Sequence, residues 1–219
     1  MTGKQLATGK GATGKGATGK GTAGRTSAWL IGILVAVVAI VLLVFAVRTA
    51  SAVEVQGVHL SDHASVGGSD LVLNGAGLRK KLFFKVYVGS LYLPAKATTA
   101  QAVLAESPRR IQMNILRDLT AQQLIDSLND GLVANTTDAE RAQIKSQIAA
   151  LETIMRSFNE TKAGSVVTLD YVGDVTHISL DGKERGAIGG GDFNRALTDI
   201  WIGAHPAQDD LKKALLGGA

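Results

Sequence analysis

Two side chains near the middle of the chain have the chemistry needed to hold a carboxylate. Arg79 follows a glycine-broken turn in the run LNGAGLRKKLFFKVYVGSLYL, and Tyr87 lies further along in its aromatic part. A guanidinium binds a carboxylate through two parallel hydrogen bonds, and a phenol adds a third donor. An arginine directed inward along a strand would be costly without such a partner. The other interpretation makes Arg79, Lys80 and Lys81 a solvated hairpin tip, and the pattern alone leaves both open.

The elements around this pair come in blocks of strands and helices. Residues 82–93 carry the strongest strand signal in the chain because aromatic and β-branched side chains dominate them. Earlier in the chain, alternating apolar and polar residues predict a first strand over 54–60. A short strand over 71–74 is expected to be broken by the glycines that follow it.

Two capping boxes predict where helices begin. Thr120 with Gln123 opens a helix to about Ala134, and Thr137 with Glu140 opens a second helix with one apolar stripe. The other predicted elements are strands over 110–117, 165–172, 175–180 and 184–188 and helices over 99–106, 192–202 and 208–216. Meandering strands and grouped helices predict an α+β fold with a largely antiparallel sheet.

Charge is divided unevenly along the chain. Six of the 23 lysines and arginines lie before Val53, where no acidic residue occurs. The rest of the chain has 17 basic and 19 acidic residues. The folded part is therefore near −2. A nucleic-acid partner is not expected, because phosphate binding needs a basic face.

Cofactor and metal chemistry find little support in the sequence. The absence of cysteine excludes disulfides, thiol nucleophiles and cysteine-ligated zinc. The four histidines are scattered, and neither GxSxG nor HExxH occurs. The glycines of 186–191 could bind an anion at a helix start, although a tight connection into that helix is the favoured interpretation. We expect no cofactor and no metal.

The N-terminal part predicts a basic arm followed by a membrane segment. Residues 1–27 contain three copies of Ala-Thr-Gly-Lys-Gly and no means of burying a core, so they are expected to be disordered. The stretch 28–47 has twenty residues without a charge, long enough as a helix to cross a hydrocarbon core of about 30 Å. Five basic residues before this stretch place the N-terminus in the cytoplasm.

Whether the membrane segment is retained stays open. Ala50-Ser51-Ala52 suits signal peptidase, whereas the apolar stretch is longer than the core of a usual signal peptide. The predicted organisation is an arm over 1–27, a transmembrane helix or signal-anchor over 28–48, and a domain over 53–219. The domain is expected on the extracytoplasmic side, either anchored or released after Ala52.

Several motifs in the domain resemble those of chalcone isomerase-like proteins. Asn74-Gly-Ala-Gly-Leu-Arg79, followed by the aromatic strand, resembles the family's opening. Leu119-Thr-Ala-Gln-Gln123 resembles the start of its pocket helix, and Trp201-Ile-Gly203 resembles the end of its late helix. The resemblance is strongest to the bacterial exported branch. It implies an open-faced sandwich, with helices covering an antiparallel sheet, a pocket between them and a periplasmic location.

The resemblance also implies where a site would lie. Plant enzymes of this family close a chalcone into a flavanone without a cofactor, using an arginine, a strand threonine, a tyrosine and an asparagine. Together with a pair on the late helix, these positions fall in this chain at Arg79, Tyr87, Leu124, Gly131, Ile200 and Trp201.

Departures from the enzymes favour binding over catalysis. Neither Leu124 nor Gly131 can place an activating water, and general acid–base help is worth about 10²–10⁴ in rate. Arginine with tyrosine instead resembles the fatty-acid-binding relatives, in which the pair holds a carboxylate at the mouth of an apolar pocket. The first hypothesis is a membrane-tethered or exported domain that binds an apolar carboxylate such as a fatty acid.

Two alternatives remain open. An isomerase, or intramolecular lyase, acting on an enone would use Arg79 to stabilise the oxyanion and Tyr87 as a proton relay. A structural or partner-binding envelope protein would fill its pocket with its own side chains, such as Phe83 and Trp201.

Overall fold

A computed structural model describes residues 52–218 of the chain. The basic arm and the apolar stretch 28–47 lie outside the described residues, so their predicted disorder and membrane insertion remain predictions. Within residues 52–218, no helix combines the length and hydropathy that crossing a bilayer requires.

A seven-stranded antiparallel sheet forms the framework of the domain, in the order β11-β10-β9-β6-β5-β4-β3. Two further antiparallel pairs lie outside this sheet: β1 and β2 form a hairpin, and β7 pairs with the distant β8 over two residues. The strands are β1 (Ala52–Val55), β2 (Val58–Ser61), β3 (His63–Val66), β4 (Ser69–Lys81), β5 (Phe84–Leu93), β6 (Arg109–Ile115), β7 (Leu119–Thr120), β8 (Glu160–Thr161), β9 (Val166–Val172), β10 (Val175–Leu180) and β11 (Lys183–Gly189). The α+β, largely antiparallel class predicted from the pattern is therefore confirmed.

Helices cover one face of this sheet and enclose the larger part of the core. They are α1 (Ala100–Ala105), α2 (Ala121–Asn135), α3 (Asp138–Gln143), α4 (Lys145–Arg156), α5 (Gly191–Ile202) and α6 (Asp209–Leu215). The most deeply buried helix is α5, whose Phe193, Leu197 and Ile200 belong to the main core cluster. A smaller cluster that includes Leu60, Leu71 and Tyr92 packs apart from this core, close to the β1–β2 hairpin. Each face of the sheet thus has its own apolar cluster.

Both predicted capping boxes are present. The side chains of Thr120 and Thr137 each accept a hydrogen bond from the backbone amide of the third helical residue. The side chains of those residues, Gln123 and Glu140, in turn accept from the backbone amides of the two threonines. The helix predicted to continue from Thr137 is interrupted, because Ile144 leaves the helical conformation between α3 and α4. The predicted apolar stripe still faces the core, from Ile144 at the junction and from α4, whereas α3 has no buried residue.

The prediction of one strand over 54–60 was wrong. The chain turns back at Gln56 and Gly57, which have φ angles of 54° and 81°. These residues join β1 to β2 as a hairpin. The sequence pattern missed the turn because glutamine does not usually mark a left-handed position, which favours glycine or asparagine.

The sequence predicted that the glycines after Asn74 would break the strand, and this prediction was wrong. Strand β4 runs on through them, with one register shift against β5 between Leu73 and Gly75. A Cβ on Gly75 would lie 2.0 Å from the carbonyl oxygen of Ala214. A Cβ on Gly77 would lie 2.8 Å from the Ala214 methyl. The missing side chains therefore let helix α6 pack directly on the strand.

Asn74 fixes the end of the same helix. Its side chain is buried and donates to the carbonyl oxygens of Ala97 and Leu215 at 2.9 and 2.7 Å. It also accepts from the backbone amide of Ala97 at 2.7 Å. One side chain thus joins β4, the segment after β5 and the C-terminus of α6.

Candidate functional site: a cavity between the sheet and its helices

An apolar cavity of about 290 Å³ lies between the sheet and helices α2, α4 and α5. Strands β6, β9 and β10 contribute Met113, Leu169 and Ile178 to its floor, and α4 contributes Leu151 and Met155 to its cover. This volume is just below the roughly 300–1,000 Å³ typical of small-molecule sites. The apolar lining of the cavity suits an apolar ligand.

All of the site residues predicted from the sequence line this one cavity. Two come from the paired strands β4 and β5, two from α2 and two from α5. They are Arg79, Tyr87, Leu124, Gly131, Ile200 and Trp201. The structure thus brings together residues that lie up to 122 positions apart in the sequence.

Arg79 and Tyr87 are directly opposite each other in the β4–β5 ladder. Residues paired in this way share one face of a sheet, and here that face is turned to the cavity. The register shifts immediately after Arg79, so Lys80 pairs with Lys85 instead of Val86. Such bulges redirect side chains next to functional sites. This bulge separates the half-buried Arg79 from the exposed lysines that follow it.

The guanidinium of Arg79 has spare hydrogen-bonding capacity. It donates to the carbonyl oxygen of its neighbour Lys80. Among residues 52–218, no acidic side chain lies within the 4.0 Å of a salt bridge to it. A guanidinium carries five N–H donors, so most of its donors are left for another acceptor.

The hydroxyl of Tyr87 is oriented by Trp201. The indole Nε1–H of Trp201 donates to the Tyr87 oxygen at 2.8 Å. Burial raises the pKa of Tyr87, although the Trp201 hydrogen bond and the nearby Arg79 charge oppose this shift. The phenol therefore stays protonated at neutral pH. In the described part of the chain, no acceptor lies within hydrogen-bonding distance of its proton.

Comparison with known proteins places this architecture in a family. The profile of the chalcone isomerase-like proteins matches residues 52–217. The chain belongs to the chalcone isomerase-like family. A solved structure with the same fold is that of a fatty-acid binding protein from Arabidopsis thaliana, with a TM-score of 0.57 and 16% sequence identity. That alignment covers 76% of this chain and 96% of the plant protein. No curated protein matches the chain significantly.

The chalcone isomerase-like cavity departs from the enzyme pattern at Gly131 for a packing reason. A Cβ on Gly131 would lie 2.7 Å from Cγ2 of Ile200 on the facing helix. Real Cβ atoms essentially never approach so closely. An asparagine, which the resemblance places here in the plant enzymes, would require Ile200 to move. The close contact of α2 with α5 thus occupies the space that a polar side chain would need.

Further lining residues on α2 were not singled out in the sequence. Ser127, Leu128 and Ala134 line the cavity together with Leu124 and Gly131. These positions recur at helical spacings of three and four residues, so the helix period could have identified them once one member was known. The lining residues of β9 and β10 gave no comparable signal, because any buried strand face looks alike in sequence.

Exposed polar side chains mark where the cavity opens. Lys81, Ser127, Asp130 and His205 all line it and are all exposed. Arg79 lies beside Lys81, whereas the aliphatic residues Leu151 and Ile178 are buried. The site therefore has a polar, partly basic mouth and an apolar interior.

A second depression is larger but chemically different. It measures about 890 Å³ and is lined by α1, the end of α2 and α5, with Glu140, Arg195, Asp199 and Lys212 at its surface. Burial raises the pKa of Asp199, while the Arg195 and Lys212 charges oppose that rise. This groove includes Leu104 and Ile202 but is more polar than apolar, so the smaller, mainly apolar cavity is the better candidate site.

Proposed function

We propose that this domain binds an apolar carboxylate of the fatty-acid class and does not transform it. The observation that carries the proposal is a pair of donors with spare hydrogen-bonding capacity, Arg79 and Tyr87, at one end of an apolar cavity. A carboxylate accepts a bidentate pair from the guanidinium and a third bond from the phenol. Few neutral ligands would use all three donors.

The rest of the cavity suits an acyl chain. Its interior walls carry methionine, leucine and isoleucine side chains such as Met113, Leu169 and Ile178. Each buried methylene of a ligand contributes about 0.8 kcal/mol, so an acyl chain provides affinity while the carboxylate sets its direction. The fold relative from Arabidopsis thaliana is named as a fatty-acid binding protein, which supports the same class of ligand.

One observation favours binding over catalysis, and a second argues against a structural protein that fills its own pocket. Leu124 and Gly131 occupy the positions where the resemblance implies a tyrosine and an asparagine in the plant enzymes, and neither can transfer a proton. In addition, Phe83 is 95% exposed and does not line the cavity, so the protein does not fill its pocket with this side chain. The open, apolar cavity is therefore better suited to holding a ligand.

We also propose that the domain acts outside the cytoplasm, carried there by residues 28–47. The support is the uncharged length of this segment and the five basic residues before it. Retention as an anchor and release after Ala52 are both compatible with the sequence. Sequencing the N-terminus of the mature protein decides between them.

Native mass spectrometry of the full chain, purified without lipid stripping, tests the ligand proposal. We expect an added mass equal to that of a fatty acid, or uptake of palmitic acid by an empty chain. Methyl palmitate is the matched control, because it keeps the acyl chain and lacks the charge. If palmitic acid is not taken up, or is held no better than its ester, the proposal is wrong.

A further inference from the structure

The β4–β5 hairpin ends in a cluster of exposed apolar side chains. Leu82, Phe83 and Phe84 are 83%, 95% and 54% exposed. In the described part of the chain, the other strongly exposed large apolar residues are Val53 and Val133, which stand alone. Isolated exposed apolar residues are common, whereas a contiguous group indicates an interaction site. We call residues 79–85 the hairpin tip.

Basic side chains surround this apolar group. The hairpin tip contains Arg79, Lys80, Lys81 and Lys85 and no acidic residue, although the domain as a whole is near −2. The guanidinium of Arg117 lies 4.5 Å from the centre of the Phe84 ring and adds a fifth positive charge. Within residues 52–218, none of the three lysines forms a salt bridge. The tip is thus apolar at its end and positively charged around it.

The backbone makes the tip project. Lys81 and Phe84 are paired in the ladder, so Leu82 and Phe83 alone form the loop. Leu82 has a φ of 55°, in the left-handed region that glycine and asparagine occupy with less strain. A bulky apolar side chain therefore occupies a position for which local backbone preference favours a different residue.

We propose that the hairpin tip inserts into the interface of a lipid bilayer that contains anionic lipids. Leucine and phenylalanine would enter the region between headgroups and acyl chains, where amphipathic protein segments bury their apolar face. The lysines would contact anionic headgroups while their methylene stems follow the apolar side chains inward. A second copy of the chain fits less well, because two positively charged tips would repel each other.

Membrane insertion of the hairpin tip would also affect the cavity, because the two share residues. Arg79 and Lys81 belong to the hairpin tip and also line the cavity. A tip held in the bilayer interface therefore brings the polar mouth of the cavity to the membrane surface. Docking itself does not require a bound ligand, so it can be measured separately from the proposed carboxylate binding.

Site-specific labelling of the full chain tests the insertion. The chain has no cysteine, so Phe83→Cys gives a unique attachment point for an environment-sensitive fluorophore. Val133→Cys is the matched control, because Val133 is also apolar and exposed but lies on α2. Both proteins are measured with phosphatidylcholine vesicles, with and without phosphatidylglycerol, containing nitroxide-labelled lipids. Any anchoring through residues 28–47 acts on both proteins equally.

We expect the nitroxide lipids to quench the label at position 83 and to leave the label at position 133 unchanged. Phosphatidylglycerol should strengthen the quenching and salt should weaken it. Replacing Lys80, Lys81 and Lys85 by glutamine should lower the partition constant of the tip about 10²-fold, since each basic residue near an anionic surface contributes roughly fivefold.

Two outcomes would overturn the membrane assignment. One is equal quenching of the labels at positions 83 and 133 in phosphatidylglycerol vesicles. The other is a blue shift of the label at 83 that appears without vesicles and grows with protein concentration, which would assign the hairpin tip to a contact between two copies. Loss of palmitic acid binding with vesicle quenching intact would refute the proposed function and leave this inference standing.

Discussion

Replacing Arg79 with alanine is expected to lower the affinity for palmitic acid by about 10²–10³-fold, because hydrogen bonds between charged groups contribute about 1.5–3 kcal/mol each. Affinity for methyl palmitate should change little, since the ester offers no charge to the guanidinium. Isothermal titration calorimetry with both ligands separates the two effects. The difference between acid and ester, and not the loss of binding alone, is the expected signature.

The Arg79→Ala protein should fold as well as the wild type. Within the described residues, Arg79 forms no salt bridge, and its side chain donates to the adjacent Lys80 carbonyl. Its removal should therefore change the free energy of unfolding by no more than about 0.5 kcal/mol. Arg117→Ala is the control for charge alone, because Arg117 stacks on Phe84 and does not line the cavity. An equal loss of palmitic acid binding in both variants would refute the specific role of Arg79.

Replacing Asn74 with alanine is expected to destabilise the domain by about 3 kcal/mol, since each buried backbone group left without a partner costs about 1–3 kcal/mol. The substitution removes the partners of the Ala97 amide and of the Ala97 and Leu215 carbonyls. Total stability of a domain is about 5–15 kcal/mol, so this is a large fraction. Urea unfolding measures the difference directly.

Helix α6 should loosen first in the Asn74→Ala protein. Its C-terminal carbonyl at Leu215 loses the Asn74 amide, and Gly75 and Gly77 beneath it offer no side chain to compensate. Hydrogen exchange over 209–215 should rise more than exchange over α5. Asn114→Ala is the control, because the Asn114 side chain accepts from the side chain of Gln112 on the same strand. Destabilisation of the two variants to the same extent would contradict the proposed role of Asn74.

The sequence identified the parts of the fold that local rules determine. Capping boxes at Thr120 and Thr137 gave the helix starts, because a cap is made by residues only three positions apart. The type I′-like Asp181-Gly182 turn, with both φ angles positive, was likewise predictable from its residue types. These features need no knowledge of distant contacts.

Features that depend on distant contacts were missed. The glycines at 75 and 77 read as a strand break, whereas they are the surface on which a helix more than 130 residues away packs. No local pattern distinguishes a glycine needed for close approach from one that ends a strand. The buried hydrogen bonds of Asn74 to Ala97 and Leu215 also join distant positions, so the sequence could not predict them.

The candidate site was predictable in part. The resemblance placed six residues that do line one cavity, but the sequence left open whether Arg79 belongs to a pocket or to a solvated tip. The structure supports a part of each interpretation: Arg79 lines the cavity just before the bulge, and the exposed lysines after it surround the end of the hairpin tip, with Lys81 also at the cavity mouth. The hydrogen bond from Trp201 to Tyr87 joins elements 114 residues apart and required the structure.

A crystal structure of the protein with palmitic acid tests the central claim most directly. We expect the carboxylate within hydrogen-bonding distance of the Arg79 guanidinium and the Tyr87 hydroxyl, with Trp201 still donating to that hydroxyl. The acyl chain should run over Met113 and Ile178 into the apolar interior. A carboxylate bound instead in the polar groove at Arg195 and Lys212, or an acyl chain with its methyl end against Arg79, would contradict the claim.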